Sequence, residues 1–253
     1  MTLDACTTLV QRGDPDRFAA VMAAPPAARA RLWPLYAFNL EVARAPWVTN
    51  QPLIAEMRLQ FWRDMLTAQT PRAHEVAGPL HELLQDAPAI APLLDHIIEA
   101  RRHDITREPF GSDTAFDAYI EATSATLLWA AALALGAAPR TETAFRALGW
   151  AAGLAAYLRA VPALTARNLT PLVNPDPKAV RILAVEGLNH LAIARNQRRS
   201  FGAAAPAALA GWQAGPLLRL AHDNPTRVAE GTLALSEFAR RGGLVWMALT
   251  GRF

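Results

Sequence analysis

Residues 33–66 read WPLYAFNLEVARAPWVTNQPLIAEMRLQFWRDML, and this stretch decides how the rest of the chain is read. It holds two helical runs separated by a turn. Ala, Leu, Arg, Glu and Met recur through it, and these residues lose little or no side-chain entropy in a helix. The break falls at Thr49, Asn50 and Pro52. A proline suits the first turn of the new helix because its missing N–H would have had no helical partner there. In the second run Leu53, Met57, Phe61 and Met65 recur at helical spacing and predict its apolar face.

The same punctuation organises the flanks. Asp14-Pro15 opens a helix carrying Phe18, Val21 and Met22, and Pro25-Pro26 precedes the run over 27–44. Pro71, Pro79, Pro88 and Pro92 divide 70–92 into short pieces, and a longer helix is expected over 93–106. Ser112-Asp113-Thr114 supplies an N-cap for an amphipathic helix through Phe116, Tyr119, Ile120 and Thr123 to Gly136. A long helix is predicted over 141–164, weakened at Gly149 and Gly153. Residues 168–177, with three prolines, read as irregular, and three helices over 178–200, 206–222 and 225–250 complete the chain. Strand-like alternation is nearly absent. The expectation is an all-α, single-domain bundle of eight to ten helices spanning 1–253.

Composition narrows the function classes. At 253 residues, 52% hydrophobic and 19% charged, the chain is globular rather than disordered or fibrous. The 25 basic and 22 acidic residues leave a net charge of +3, too small an excess to point to nucleic acid. The single Cys6 has no intrachain partner and no neighbouring metal ligand, which fits a reducing compartment. MTLDACTTLVQRGDPDR has acids where a secretory signal is basic and lacks a long apolar core, so a cytoplasmic location is expected. The apolar run LLWAAALALGAA at 127–138 falls short of the ~20 residues a membrane span needs and reads as a buried helix.

Four blocks of the chain resemble the squalene/phytoene synthase family, the head-to-head prenyl synthases. They are RLWPLYAFNLEVARAPW at 31–47, MRLQFWRD at 57–64, IIEARRHDITREPFGSDTAFDAYIEATSATLLWAAALALG at 97–136, and GWAAGLAAYLRAVPALTARNLTPLV at 149–173. The resemblance implies an all-α fold of the isoprenoid synthase type. It implies a substrate cavity for which Tyr36, Phe38, Glu41, Arg44, Trp47, Trp62, Tyr119 and Arg159 are the candidate residues.

Active members of that family carry two aspartate-rich motifs. Where the first would stand, this chain has Ala43, Arg44 and Trp47; where the second would stand, it has Leu158-Arg159-Ala160, Leu164-Thr165 and Leu169-Thr170-Pro171. The loss is chemically decisive for catalysis. Mg²⁺ bridges a prenyl diphosphate to the protein only through carboxylate oxygens, and aspartates four apart on a helix share a face and a metal. Alanine and arginine remove the oxygens and add positive charge, so metal-assisted ionisation of the substrate is expected to be lost.

Other acids are weak substitutes. Glu41 lies near the first motif, and Glu56 and Asp64, eight residues apart on the following helix, are weak metal candidates beside Arg58 and Arg63. Asp95, Glu99 and His103 stack at four-residue spacing but read as a solvated, salt-bridged face, with Asp104 as a cap or a partner of Arg101. His222, Thr226 and Glu230 mimic a terpene synthase spacing that Pro225 interrupts. Arg195, Arg198 and Arg199, and separately Arg240 and Arg241, offer cations for a lipid headgroup or a diphosphate. Trp33, Trp47, Trp62, Trp129 and Trp150 line an apolar cavity or, more simply, fill the core.

Two functional readings follow. In the first, the synthase fold persists without prenyltransferase catalysis or a cofactor, and serves as an isoprenoid- or lipid-binding protein or a respiratory-complex assembly factor. Protein partners and peripheral contact with the inner membrane accompany this reading. The Ala-Phe-Asn-x-Glu lead-in at 37–41 resembles the branch of the family that contains an assembly factor for respiratory complex I. In the second, the protein is a Mg²⁺-dependent prenyltransferase that joins two prenyl diphosphates, with Glu41, Glu56 or Asp64 as recruited ligands.

Overall fold

The structure, a computed structural model, describes residues 3–253. Met1 and Thr2, which begin both the N-terminal segment weighed above and the 1–253 domain span, lie outside the described residues. The chain folds into α1 (Leu3–Gly13), α2 (Pro15–Met22), α3 (Pro26–Arg44), α4 (Pro52–Thr67), α5 (Ala77–Asp86), α6 (Ala91–Ala100) and the single turn α7 (His103–Thr106). There follow α8 (Asp113–Ile120), α9 (Thr126–Ala134), α10 (Glu142–Thr165), α11 (Pro177–Gln197), α12 (Ala214–Asp223), the single turn α13 (Thr226–Ala229) and α14 (Glu237–Thr250). No strand occurs among the described residues, and the fold is all-α, of the isoprenoid synthase type.

Among the described residues, twelve α-helices of eight residues or more exceed the expected eight to ten, because local chemistry cuts several predicted runs. The expected helix over 93–106 turns at Arg101-Arg102 into α6 and α7. The expected run to Gly136 is interrupted by a π-helical turn at Glu121–Ala125. Residues Gly202–Gly211, with Pro206 inside, wind as 3₁₀ helix. Gly231, at φ +71°, ends the run expected over 225–250, and α14 starts afresh where the Ser236 hydroxyl accepts from the Ala239 N–H.

α3 is buried from Leu32 to Asn39 without interruption, which makes it a central rather than a surface helix. α10 is the second central element, packed against α9, α11, α12 and the π-helical turn. By length and composition it could cross a membrane, yet more than half of its apolar window is buried within the bundle. Gly149 and Gly153 do not weaken α10 but permit that packing: a Cβ at Gly149 would lie 2.7 Å from Ala125 Cα, and one at Gly153 2.3 Å from Ser124 Cβ. One continuous apolar core runs from Cys6 and Val10 of α1 to Met247 of α14. Burial of Cys6 raises its thiol to about 11, so it stays protonated at neutral pH.

The apolar face predicted for α4 is corrected. Leu53 and Met57 are 73% and 63% exposed, Phe61 is half-buried and Met65 is buried as predicted; the buried face of α4 is completed by Ala55, Leu59 and Trp62. Both stripes have helical spacing, and only tertiary packing chooses between them.

Candidate functional site

The two motif positions face each other across a closed cleft. Trp47 stands in the turn that follows α3, where its N–H donates to the Arg44 carbonyl at 2.8 Å. Leu164, in the last turn of α10, and Leu169 to Pro171 after it line the same cleft. Arg107 and Arg167 both lie over the Trp47 ring, their guanidinium carbons 5.6 and 5.1 Å from its centroid. Both arginines are solvent-exposed, and neither has a carboxylate partner within ion-pair distance among the described residues. The space left in the cleft is about 40 Å³. That is room for a water or two, against roughly 300 Å³ or more for a small-molecule pocket.

Behind the cleft, aromatic rings occupy the interior. His103 stacks on Phe110 at 4.3 Å, Phe110 lies 5.3 Å from both Phe116 and Tyr119, and Phe116 lies 5.1 Å from Tyr157. The Tyr119 hydroxyl donates to Asp104 at 2.8 Å and accepts from Arg101 at 2.7 Å, while Arg101 also donates to Asp104 at 3.1 Å. Burial pushes the Tyr119 phenol well above its ordinary range, so it remains a neutral donor. Arg101 stays charged: burial works against its cation, and the neighbouring Tyr119 and Asp104 outweigh that cost. The Tyr157 hydroxyl donates to the Pro171 carbonyl at 2.9 Å, tying α10 to the loop after it.

The remaining candidates fall elsewhere. Tyr36, Phe38 and Trp62 are core residues: Phe38 and Trp62 meet edge-on at 5.5 Å, and the buried Tyr36 phenol is pushed up to about 12. Glu41 faces two arginines and an imidazole, Arg44 at 3.3 Å, Arg58 at 4.0 Å and His74 at 3.9 Å. Arg159 points away from the cleft and pairs with Asp16 of α2 at 3.0 Å. Of the eight cavity candidates, the structure therefore gathers Trp47 and Tyr119 around one site and disperses the other six. Sequence reading had no local signal for Arg107, Phe110, Tyr157 and Arg167, which reach that site from the loop after α7, from α10 and from the turn that follows α10.

Two acids line the cleft: Asp104, held by Arg101 and Tyr119, and the exposed Glu108, which has no ion-pair partner among the described residues; the other acids near the site are engaged. Glu56 accepts from Arg102 at 3.1 Å, and Asp64 from Gln60 at 2.7 Å and Arg72 at 3.1 Å. Asp95 is bound by Arg63, which holds its carboxyl below the usual range, and Glu99 is bound by Arg63 and Arg102. His103 takes no part in that face, since it stacks on Phe110. No cluster of three or more His, Cys, Asp or Glu side chains with metal-binding geometry occurs among the described residues. The donors that are present do not fit a Mg²⁺–diphosphate centre: Ala43, Arg44, Trp47, Ala160 and Leu164 offer no oxygen, and two guanidiniums occupy the mouth.

The model of squalene/phytoene synthase matches residues 10–176, which hold both motif positions and the whole cleft. The chain belongs to the squalene/phytoene synthase family. Among curated members it is similar to the NADH dehydrogenase (ubiquinone) complex I, assembly factor 6 homolog of Drosophila melanogaster. The two are 27% identical over 202 residues, 76% of this chain and 58% of that protein. Assembly factor 6 of Bos taurus is 26% identical over 161 residues, 62% of this chain and 48% of that protein. The chain thus spans about half the length of the curated relatives it matches.

Solved synthases share the squalene/phytoene synthase fold at low identity. A dehydrosqualene synthase in complex with ligand superposes with a TM-score of 0.82 at 12% identity, over 96% of this chain and 94% of that one. Squalene synthase HpnC from Alicyclobacillus acidocaldarius gives 0.60 at 16%, over 98% and 94%.

Proposed function

We propose that this protein is a squalene/phytoene synthase family member without prenyltransferase catalysis, working as a single-domain assembly factor for a respiratory complex at the cytoplasmic face of the inner membrane. The observation that carries the reading is the cleft itself. Carboxylates are missing from both motif positions together, and Arg107 and Arg167 lie over Trp47 at a cleft with about 40 Å³ of free space. A single lost motif can be offset by a recruited acid, but Glu41, Glu56 and Asp64 are each held by arginine. The likeness to complex I assembly factor 6 proteins supports the assembly role and the expectation of protein partners.

The surface offers a place for such a partner. Val48, Leu53, Ile54 and Met57 form an exposed apolar strip on the turn into α4 and its first two turns, beside the closed cleft.

Calorimetric titration with farnesyl diphosphate, with and without Mg²⁺, tests the reading. We expect no Mg²⁺-dependent heat and no Mg²⁺-dependent rise in unfolding temperature, since only a ligand that prefers the native state stabilises it. Mg²⁺-dependent binding together with release of diphosphate would overturn the proposal in favour of the prenyltransferase.

A further inference from the structure

α14 is apolar on two opposite faces. Its inner face docks on the bundle through buried Met247, half-buried Leu244 and Arg240, whose guanidinium donates to Asp16 at 2.6 Å. Its outer face carries Phe238, Val245, Trp246 and Leu249, which are 89%, 58%, 57% and 81% exposed. These four lie within one helical stripe with Gly242 between them, and the shallow surface they make is bounded only by α14's own residues. A helix apolar all round is normally covered on all sides. At 14 residues α14 is about 21 Å long, too short to cross a bilayer core of about 30 Å.

The charge around this stripe favours one cover. From Glu237 to Phe253 the only acid is Glu237, which Arg240 and Arg241 already engage, while Arg241 and Arg252 are exposed. At the C-terminal end Arg195 donates to the Phe253 carbonyl, which brings the Arg195–Arg199 cluster beside α14. Arg198, Arg199, Arg219 and Arg252 have no carboxylate partner within ion-pair distance among the described residues. Burial, then Arg219 and Arg198 nearby, push Arg195 below its ordinary range, as expected where cations crowd without anions. Phe, Trp and Leu on one face with arginines at its end is the pattern of a helix lying in a membrane interface, where rings enter the headgroup boundary and guanidiniums meet phosphates.

We propose that the outer face of α14 docks the protein flat on an anionic phospholipid surface, with Phe238, Trp246 and Leu249 inserted and Arg198, Arg199 and Arg252 on the headgroups. The inference takes its setting from the membrane-peripheral location proposed above, but rests on a different surface from the cleft.

Co-sedimentation of the full chain with vesicles tests it, using phosphatidylcholine alone and phosphatidylcholine mixed with phosphatidylglycerol. The expected result is binding to the mixed vesicles that weakens with salt, falls about tenfold or more in the triple variant F238S/W246S/L249S, and falls again in R198E/R199E. All these residues are exposed or half-exposed, so unchanged circular dichroism and unfolding temperature should accompany the loss. Absence of binding, equal binding to both vesicle types, or equal binding by the triple variant would overturn the proposal. So would a wild-type dimer that the triple variant makes monomeric, because the stripe would then belong to a second copy of the chain. The farnesyl diphosphate titration should be unchanged in the triple variant, which keeps this test separate from that of the closed cleft.

Discussion

Replacing Trp47 with alanine removes the ring that Arg107 and Arg167 share. Each cation–π contact at an exposed site is worth about 0.5–1 kcal/mol. With part of the indole's burial added, W47A should lose about 1–3 kcal/mol in urea unfolding without acquiring Mg²⁺ affinity, since Asp104 is held by Arg101 and Tyr119 and Glu108 is a lone carboxylate in the cleft lining. Tyr119 offers a sharper case. Y119F keeps the ring packing but deletes one donor to Asp104 and one acceptor for Arg101, leaving a largely buried ion pair incompletely satisfied. A cost of about 1–3 kcal/mol is expected, read as a lower urea midpoint at unchanged m.

Among the elements, α10 shows how a sequence cue can point the wrong way. Gly149 and Gly153 read as weak points of the helix, and by propensity alone alanine would stabilise it by up to about 1 kcal/mol per site. The structure reverses the sign, because the Cβ of G149A meets Ala125 Cα and the Ser124 carbonyl, backbone that cannot rotate aside. G149A should therefore destabilise by about 1–3 kcal/mol in thermal or urea unfolding. G153A meets mainly the Ser124 side chain, so S124G should recover part of its loss.

The helix starts were legible because proline and capping residues act locally: Pro15, Pro26, Pro52 and Ser112 all open helices where the sequence placed them. The buried face of α4 was not, since Leu53–Met57 and Leu59–Trp62 are equally periodic. The cleft was half legible. Absent aspartates are visible in the sequence, but arginines 60 and 120 residues from Trp47 that close over its ring are brought there only by the fold.

For the whole molecule, Asp16 is the hub that joins distant parts. It accepts from Arg159 of α10 at 3.0 Å and from Arg240 of α14 at 2.6 Å, partners 143 and 224 residues away. Burial alone would raise its carboxyl, but hydrogen bonds from Arg159, Gln213 and Arg240 prevail and hold it below the ordinary carboxylate value. A carboxyl depressed on folding contributes stability above its unfolded value of ~3.9, and that contribution is lost as pH falls through the lower folded value. D16N should thus cost about 1–2 kcal/mol at neutral pH. The gap between wild type and D16N should narrow below about pH 4, as followed by urea midpoints across the acid range.

The closed cleft also bears on reversibility. An aspartate introduced at position 43 would stand in the last turn of α3, four residues before Trp47 and the two arginines over its ring, with no second carboxylate beside it to share a metal. The same acid placed at 164 would still face a cleft with no space for a diphosphate. Recovering a metal centre requires oxygens on two helices and removal of an indole and two cations in the same molecule. No single one of these changes supplies oxygens and room together, so each made alone should leave Mg²⁺ affinity unchanged in calorimetric titration.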